Sequence, residues 1–326
     1  IITFFKNFRR FSRIFSMSLN IKSLVNVLRP RRQVLYAPSS ELNKLIKAST
    51  IKSLDTVVFD LEDGVSPIKK DQARSNIVKY LNTKPTIIPE LAVRTNNFNS
   101  YDGMKDLNKV FLDPVAGKRI QTLIMPKVED VKEIYFVERW LHFNNLDHIK
   151  LLAMIETPRG LSRVNEICAA SKKVDGIIFG SEDYRSAAGI SHKAGDSAIL
   201  YARSAIVTAA KAYGIQAIDM TSLDFRHPEV ATREAIESRR LGFTGKQVIH
   251  PMQIECVNNG FKPTKKEMEN CITMVKRFIK NYLVDGKGVI GDDGIMIELP
   301  HIADALKTLV LGGKTIDEIQ DRKSVV

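Results

Sequence analysis

Short apolar runs recur along the chain, each followed by a longer stretch in which apolar residues return every third or fourth position. The runs are Gln33–Ala37, Thr56–Leu61, Leu91–Arg94, Thr122–Met125, Leu151–Ile155, Gly176–Phe179, Gln216–Asp219 and Gln247–Ile249. Brief continuous apolar runs of this kind describe strands buried on both faces, as in a parallel sheet. The stretches between them include Lys69–Asn82, Val131–Phe143, Ser197–Tyr213 and Pro228–Leu241, which carry helical spacing; Gly214 and Gly242 stand where helices should end. Eight strand–helix units predict an α/β fold of the (β/α)8 TIM-barrel type. The competing doubly wound sheet is disfavoured by the count, and no G-x-G-x-x-G follows the first run.

The pattern changes after the eighth run. A charged helix is expected over Thr264–Val284, then a glycine-rich connector, Asp285–Gly294, then Ile295–Pro300 and a last helix near His301–Leu311. This end reads as an appended helical lid on the barrel. The expected division is a barrel over residues 30–262, a C-terminal lid over 263–313 and a polar tail over 314–326.

The net charge of +12 suggests nucleic acid until it is located. Lys6, Arg9, Arg10, Arg13, Lys22, Arg29, Arg31 and Arg32 fall in the first forty residues, which contain no acid. That leaves +4 for the remainder, so a nucleic-acid partner is not expected. Residues 1–29, rich in Phe, Ile, Leu, Ser and Arg, have the composition of a mitochondrial presequence, and a matrix location follows as an expectation. No apolar stretch approaches the roughly 20 residues of a membrane span. The three cysteines form no C-x-x-C, and the six histidines show no pair at zinc spacing.

Each run ends in polar residues. The central one, Leu151–Ile155, stops at Glu156 and is followed by Thr157-Pro158, an N-cap and a helix-start proline. The next ends at Ser181-Glu182-Asp183-Tyr184. Two successive strands delivering acids to the carboxyl end of a parallel barrel point to a divalent cation held by oxygen ligands. The second run leads into Asp60-Leu-Glu62-Asp63-Gly64, equally readable as caps before a turn. Arg94 ends a buried strand and needs an anion beside it, either a carboxylate such as Glu62 or a substrate. Lys69 and Lys70 read as a solvated helix face, and His250 as a structural histidine.

Four strings, Phe59-Asp-Leu-Glu-Asp-Gly64, Ile155-Glu-Thr-Pro-Arg-Gly160, Phe179-Gly-Ser-Glu-Asp-Tyr184 and Gly242-Phe-Thr-Gly-Lys-Gln-Val-Ile-His-Pro251, resemble the citrate lyase beta subunit family. That family lies within the wider group of malyl-CoA and citramalyl-CoA lyases with HpcH/HpaI-type barrels. The resemblance implies a barrel with a C-terminal lid, assembled as a trimer. It also implies cleavage of (3S)-citramalyl-CoA to acetyl-CoA and pyruvate. Carried over by motif, Glu156 and Asp183 would hold Mg²⁺, with Glu62 and Asp63 behind them, and Arg94 would bind the substrate near its thioester. Tyr36, Lys47, Ile218 and Asp219 would line the coenzyme A site. A lysine of that site falls here on Asn43, with Lys44 beside it. The family's lid motif Met-Ile-Asp carries the proton-transferring acid, which reaches a neighbouring subunit's site; here Met296-Ile297 is followed by Glu298. Rival expectations are malate synthase-type chemistry with glyoxylate, and a CoA-ester-binding homologue with weakened catalysis.

Overall fold

The computed structural model describes residues 30–278, 289–290 and 296–314. The expected presequence, the core of the glycine-rich connector with Asp292 and Asp293, and the tail beyond Lys314 lie outside the described residues. The eight runs form eight strands: β1 (Gln33–Pro38), β2 (Thr56–Asp60), β3 (Glu90–Arg94), β4 (Thr122–Met125), β5 (Lys150–Ile155), β6 (Val174–Phe179), β7 (Gln216–Asp219) and β8 (Gly245–Val248). They pair in parallel and in order, and β8 closes on β1. The fold is therefore a closed (β/α)8 barrel. Strand β8 begins two residues earlier than its apolar run because it contains Lys246. That side chain is fully buried, its ammonium donating to the Met220 carbonyl at 2.9 Å, so the charge does not interrupt the strand.

Strand alternation sorts the side chains into two layers. Val34, Val58, Ala92, Ile124, Leu152, Met154, Ile178 and Ile218 form an apolar cluster within the barrel. Residues of opposite parity, such as Leu35, Phe59, Val93, Leu123, Ala153, Ile177 and Ala217, join the main apolar core beneath the surrounding helices. Two positions beyond the inner layer, towards the strand carboxyl ends, come Tyr36, Asp60, Arg94 and Glu156. The period of two thus aims these polar residues into the barrel mouth.

The opposite end is closed by Arg31. Its guanidinium meets Glu90 at 2.7 and 2.8 Å and Asp175 at 2.7 Å, and Glu90 accepts from Thr56 and Thr122. Arg31 and these β2–β4 starts are almost wholly buried. Arg31→Met should cost about 3–5 kcal/mol in urea unfolding, because the buried Glu90 carboxylate loses the two charge-assisted hydrogen bonds that Arg31 gives it. Adding Glu90→Gln should recover much of the loss.

The barrel, Pro30–Phe261, is one compact unit; the described residues from Lys262 onward belong to a second. In the second, helices Lys265–Phe278 and Leu299–Leu311 share an apolar cluster that includes Val275, Phe278, Ile302, Ala305, Leu306 and Leu309. Val289–Ile290, inside the glycine-rich connector expected from sequence, pairs antiparallel with Met296–Ile297 beyond it. Among the described residues no helix is long and apolar enough to cross a membrane.

Candidate active site

A cleft of about 600 Å³ opens at the carboxyl ends of the strands. Tyr36, Lys44, Lys47, Asp60, Asp63, Arg94, Glu156 and Asp183 line it. Its centre is an ion pair: Asp60 accepts from Arg94 Nε and Nη2, both at 2.7 Å, and from the backbone N–H groups of Glu62 and Gly64. Burial alone would push the Asp60 carboxyl up, but Arg94 and the two backbone donors hold it below the ordinary range. Arg94 Nη1 lies 3.0 Å from Glu62 and 3.6 Å from Asp63. The guanidinium also sits 4.7 Å from the centroid of the Tyr36 ring. Two of its five N–H groups are engaged by Asp60, and Nη1 faces Glu62 as an ion pair.

Glu156 follows β5, buried, and accepts from the backbone N–H of Lys127 at 2.7 Å. Burial first, then the charge of Glu62, pushes its carboxyl up to about 8, against the pull of Arg94 and that N–H. Burial likewise lifts Glu62 to about 7, with Arg94 acting against it. Asp183 lies in the first turn of helix Ser181–Ala188, which follows β6. Gly180, between them, has no space for a side chain: a Cβ there would run into the Glu156 carboxylate. The Lys127 ammonium stands 3.3 Å from both Glu62 and Asp183.

Mg²⁺ retains several waters and takes one or two protein carboxylates plus substrate oxygens. Among the described residues no three His, Cys, Asp or Glu side chains converge as a complete cage. Glu156 and Asp183 at the cleft are a sparse all-oxygen donor set, which fits Mg²⁺ and not zinc. A buried carboxylate held up by burial and by like charge is one that a divalent cation would keep ionised.

Several residues sit differently from expectation. Ile218 and Asp219 do not line the cleft. Ile218 is fully buried in the inner apolar layer, and Asp219 has the outward parity. Its carboxylate is held beneath the helices by Arg203 (2.6 Å), Ser238 (2.5 Å) and the Met220 N–H (2.8 Å). Lys70 is not solvated: it is buried and donates to the Leu61 and Glu62 carbonyls at 2.6 and 2.8 Å, fastening the turn that carries Glu62 and Asp63. Lys69 is exposed, as expected. Lys44 and Lys47 are exposed at the edge of the cleft, Lys44 paired with Glu41 at 2.7 Å. His250 lines the cleft and stacks on Phe225 with 5.1 Å between centroids. Glu298 is exposed, precedes the last helix, and its backbone N–H donates to His301 Nδ1 at 3.0 Å. Asp60 and Lys127 were legible only as polar strand-end residues; the pairing of Asp60 with Arg94, and of Lys127 with Glu62 and Asp183, needed the fold.

The model of the family described as HpcH/HpaI aldolase/citrate lyase matches residues 32–251. The chain belongs to that family. It is an enzyme of carbon–carbon bond chemistry, since aldolase and lyase both denote it. The four strings of the sequence lie within the matched region, and each flanks a strand end or turn at the rim. Relatives include "Citramalyl-CoA lyase, mitochondrial" of Rattus norvegicus, 36% identical over 295 residues and covering 86% of each chain. "Citrate lyase subunit beta" of Haemophilus influenzae is 34% identical over 285 residues, covering 83% of this chain and 93% of that one. Among solved structures, protein CitE from Mycobacterium tuberculosis in complex with magnesium, acetoacetate and coenzyme A superposes with a TM-score of 0.72. It is 25% identical and covers 88% of this chain and 100% of that one.

Proposed function

We propose that this family member is a Mg²⁺-dependent acyl-CoA lyase that cleaves (3S)-citramalyl-CoA to acetyl-CoA and pyruvate. The observation that carries the reading is one cleft holding an Asp60-anchored Arg94 beside Glu156 and Asp183. The relatives named citramalyl-CoA lyase support the substrate, and the magnesium and coenzyme A of the M. tuberculosis complex support the ligands.

In the reaction the hydroxyl proton passes to solvent water, the C–C bond breaks and its electron pair moves to the carbon beside the thioester. The hydroxyl carbon becomes the pyruvate carbonyl, and the acetyl-CoA enolate takes up one proton, so protons balance. Bound Mg²⁺, held by Glu156 and Asp183, would polarise the hydroxyl and its neighbouring carboxylate. Arg94 directs its remaining N–H groups at the thioester oxygen, where negative charge develops; Asp60 and the Tyr36 ring keep the guanidinium from swinging away. Lys44 and Lys47 offer positive charge to the coenzyme's phosphates. Glu298 donates the proton to the enolate carbon, reaching the site from a neighbouring subunit of a homotrimer. The composition of residues 1–29 and the mitochondrial relatives support import into mitochondria.

The direct test is purified protein with Mg²⁺ and citramalyl-CoA, scored for pyruvate release with malyl-CoA as competitor. Pyruvate release with preference for citramalyl-CoA is expected; preference for malyl-CoA or glyoxylate would replace the substrate, and no Mg²⁺-dependent turnover would remove the activity. Arg94→Lys should lower kcat/KM by about a hundredfold, because a point charge cannot hold both oxygens of Asp60 and still serve a ligand. Near-normal kinetics in that variant would leave Arg94 a merely structural role.

A further inference from the structure

Lys127 carries a conformation and a position that the proposed reaction does not use. It follows β4 with φ of 53°, in the left-handed region that non-glycine residues rarely occupy. This turn gives one residue two contacts with the cation-binding carboxylates. The backbone N–H points to Glu156, and the ammonium lies midway between Glu62 and Asp183. Five carboxylates, Asp60, Glu62, Asp63, Glu156 and Asp183, gather at this rim; Arg94 and Lys127 make the ion pairs of four of them, and Glu156 accepts from the Lys127 backbone. Arg94 is tied to Asp60 by two hydrogen bonds and turns Nη1 to Glu62 and Asp63, whereas the ion pair at Asp183 is made by Lys127, which shares Glu62 with Arg94. The Lys127 side chain is 36% exposed, and its flexible stem can carry the ammonium out to water.

We propose that the Lys127 ammonium is an internal counter-cation that holds Glu62 and Asp183 together in the metal-free protein and competes with the divalent cation for them. The proposal rests on Glu156 and Asp183 as the metal-holding residues. It assigns the side chain and the backbone of Lys127 opposite effects. The N–H fixes Glu156 in place whatever the side chain is, whereas the ammonium must give way when a dication arrives. Metal affinity is thereby set below what the carboxylates alone would give, and the site stays preformed rather than splayed by repulsion between metal-binding events.

The test is direct cation binding by wild type, Lys127→Met and Asp183→Asn, using Mn²⁺ followed by electron paramagnetic resonance of the free ion. Removal of a competing charge a few ångströms from the dication should tighten Mn²⁺ binding to Lys127→Met by about tenfold or more. A second readout is the thermal midpoint. Without metal the variant should melt below wild type, and saturating Mg²⁺ should raise it by more than it raises wild type, as tighter binding to the native state requires. A lysine with a purely structural salt bridge would lower the midpoint equally with and without metal. Unchanged or weakened Mn²⁺ affinity in Lys127→Met overturns the proposal and leaves the metal site standing. A wild-type protein that binds no Mn²⁺, or Asp183→Asn that binds it as well as wild type, overturns the metal assignment and the proposal with it.

Discussion

Glu156→Gln and Asp183→Asn are each expected to reduce citramalyl-CoA cleavage by about 10²–10³-fold, the range set by losing several kcal/mol of Lewis-acid stabilisation. The fold should survive both. Glutamine at 156 keeps an oxygen that can accept the Lys127 N–H, and it removes a charge that burial and Glu62 make costly. Asp183 has its side chain 41% exposed and pairs with the mobile-stemmed Lys127. Thermal midpoints measured without metal should therefore stay near wild type, while Mg²⁺ should no longer raise them. If either variant keeps most of its turnover at saturating Mg²⁺, the cation is held by other residues.

The second large effect is expected at Glu298. Glu298→Gln should lower turnover by about 10²–10⁴-fold, the usual worth of a positioned acid or base. It should equally stop exchange of the acetyl-CoA methyl protons with solvent, while CoA-ester binding persists. Exchange reports proton transfer at carbon alone, so it separates this role from any part in C–C cleavage. Glu298→Asp should remain active, since aspartate keeps the carboxyl group and suits the start of the helix Leu299–Leu311. A displacement of about 1 Å at a catalytic group can cost on the order of a hundredfold. An aspartate variant that greatly outperforms the natural protein would mark the longer side chain as a weakened catalyst. Normal turnover in Glu298→Gln would place the acid elsewhere.

The barrel was legible because parallel strands and their crossover helices leave different hydrophobic periods, and eight repeats leave little choice of closure. The rim acids were legible because a carboxylate ending a buried apolar run has no packing explanation. What sequence could not supply was direction. Asp219 ends its strand as Arg94 does, yet the last inward residue of β7 is Ile218, so the carboxylate serves Arg203 and Ser238 under the helices. Lys70 carries the pattern of a solvated helix residue; only the fold shows two carbonyls waiting for its ammonium. Lys127 has no sequence mark of its left-handed turn, a conformation more often taken by glycine or asparagine. The Gly180 requirement was equally silent, because it arises from the approach of Glu156 on another strand.

The two-residue stride from the inner apolar layer to the rim makes the catalytic end sensitive to frame as well as to identity. One residue inserted between Ala92 and Arg94 would turn the guanidinium towards the helices and present an aliphatic side chain to the substrate, with composition almost unchanged. Length variation that spares chemistry must therefore be confined to the loops after the strands, or come in pairs of residues within them. The strands behave as a ruler with two-residue divisions, and new specificities in such a protein are reached most readily by rewriting the loops beyond its last mark.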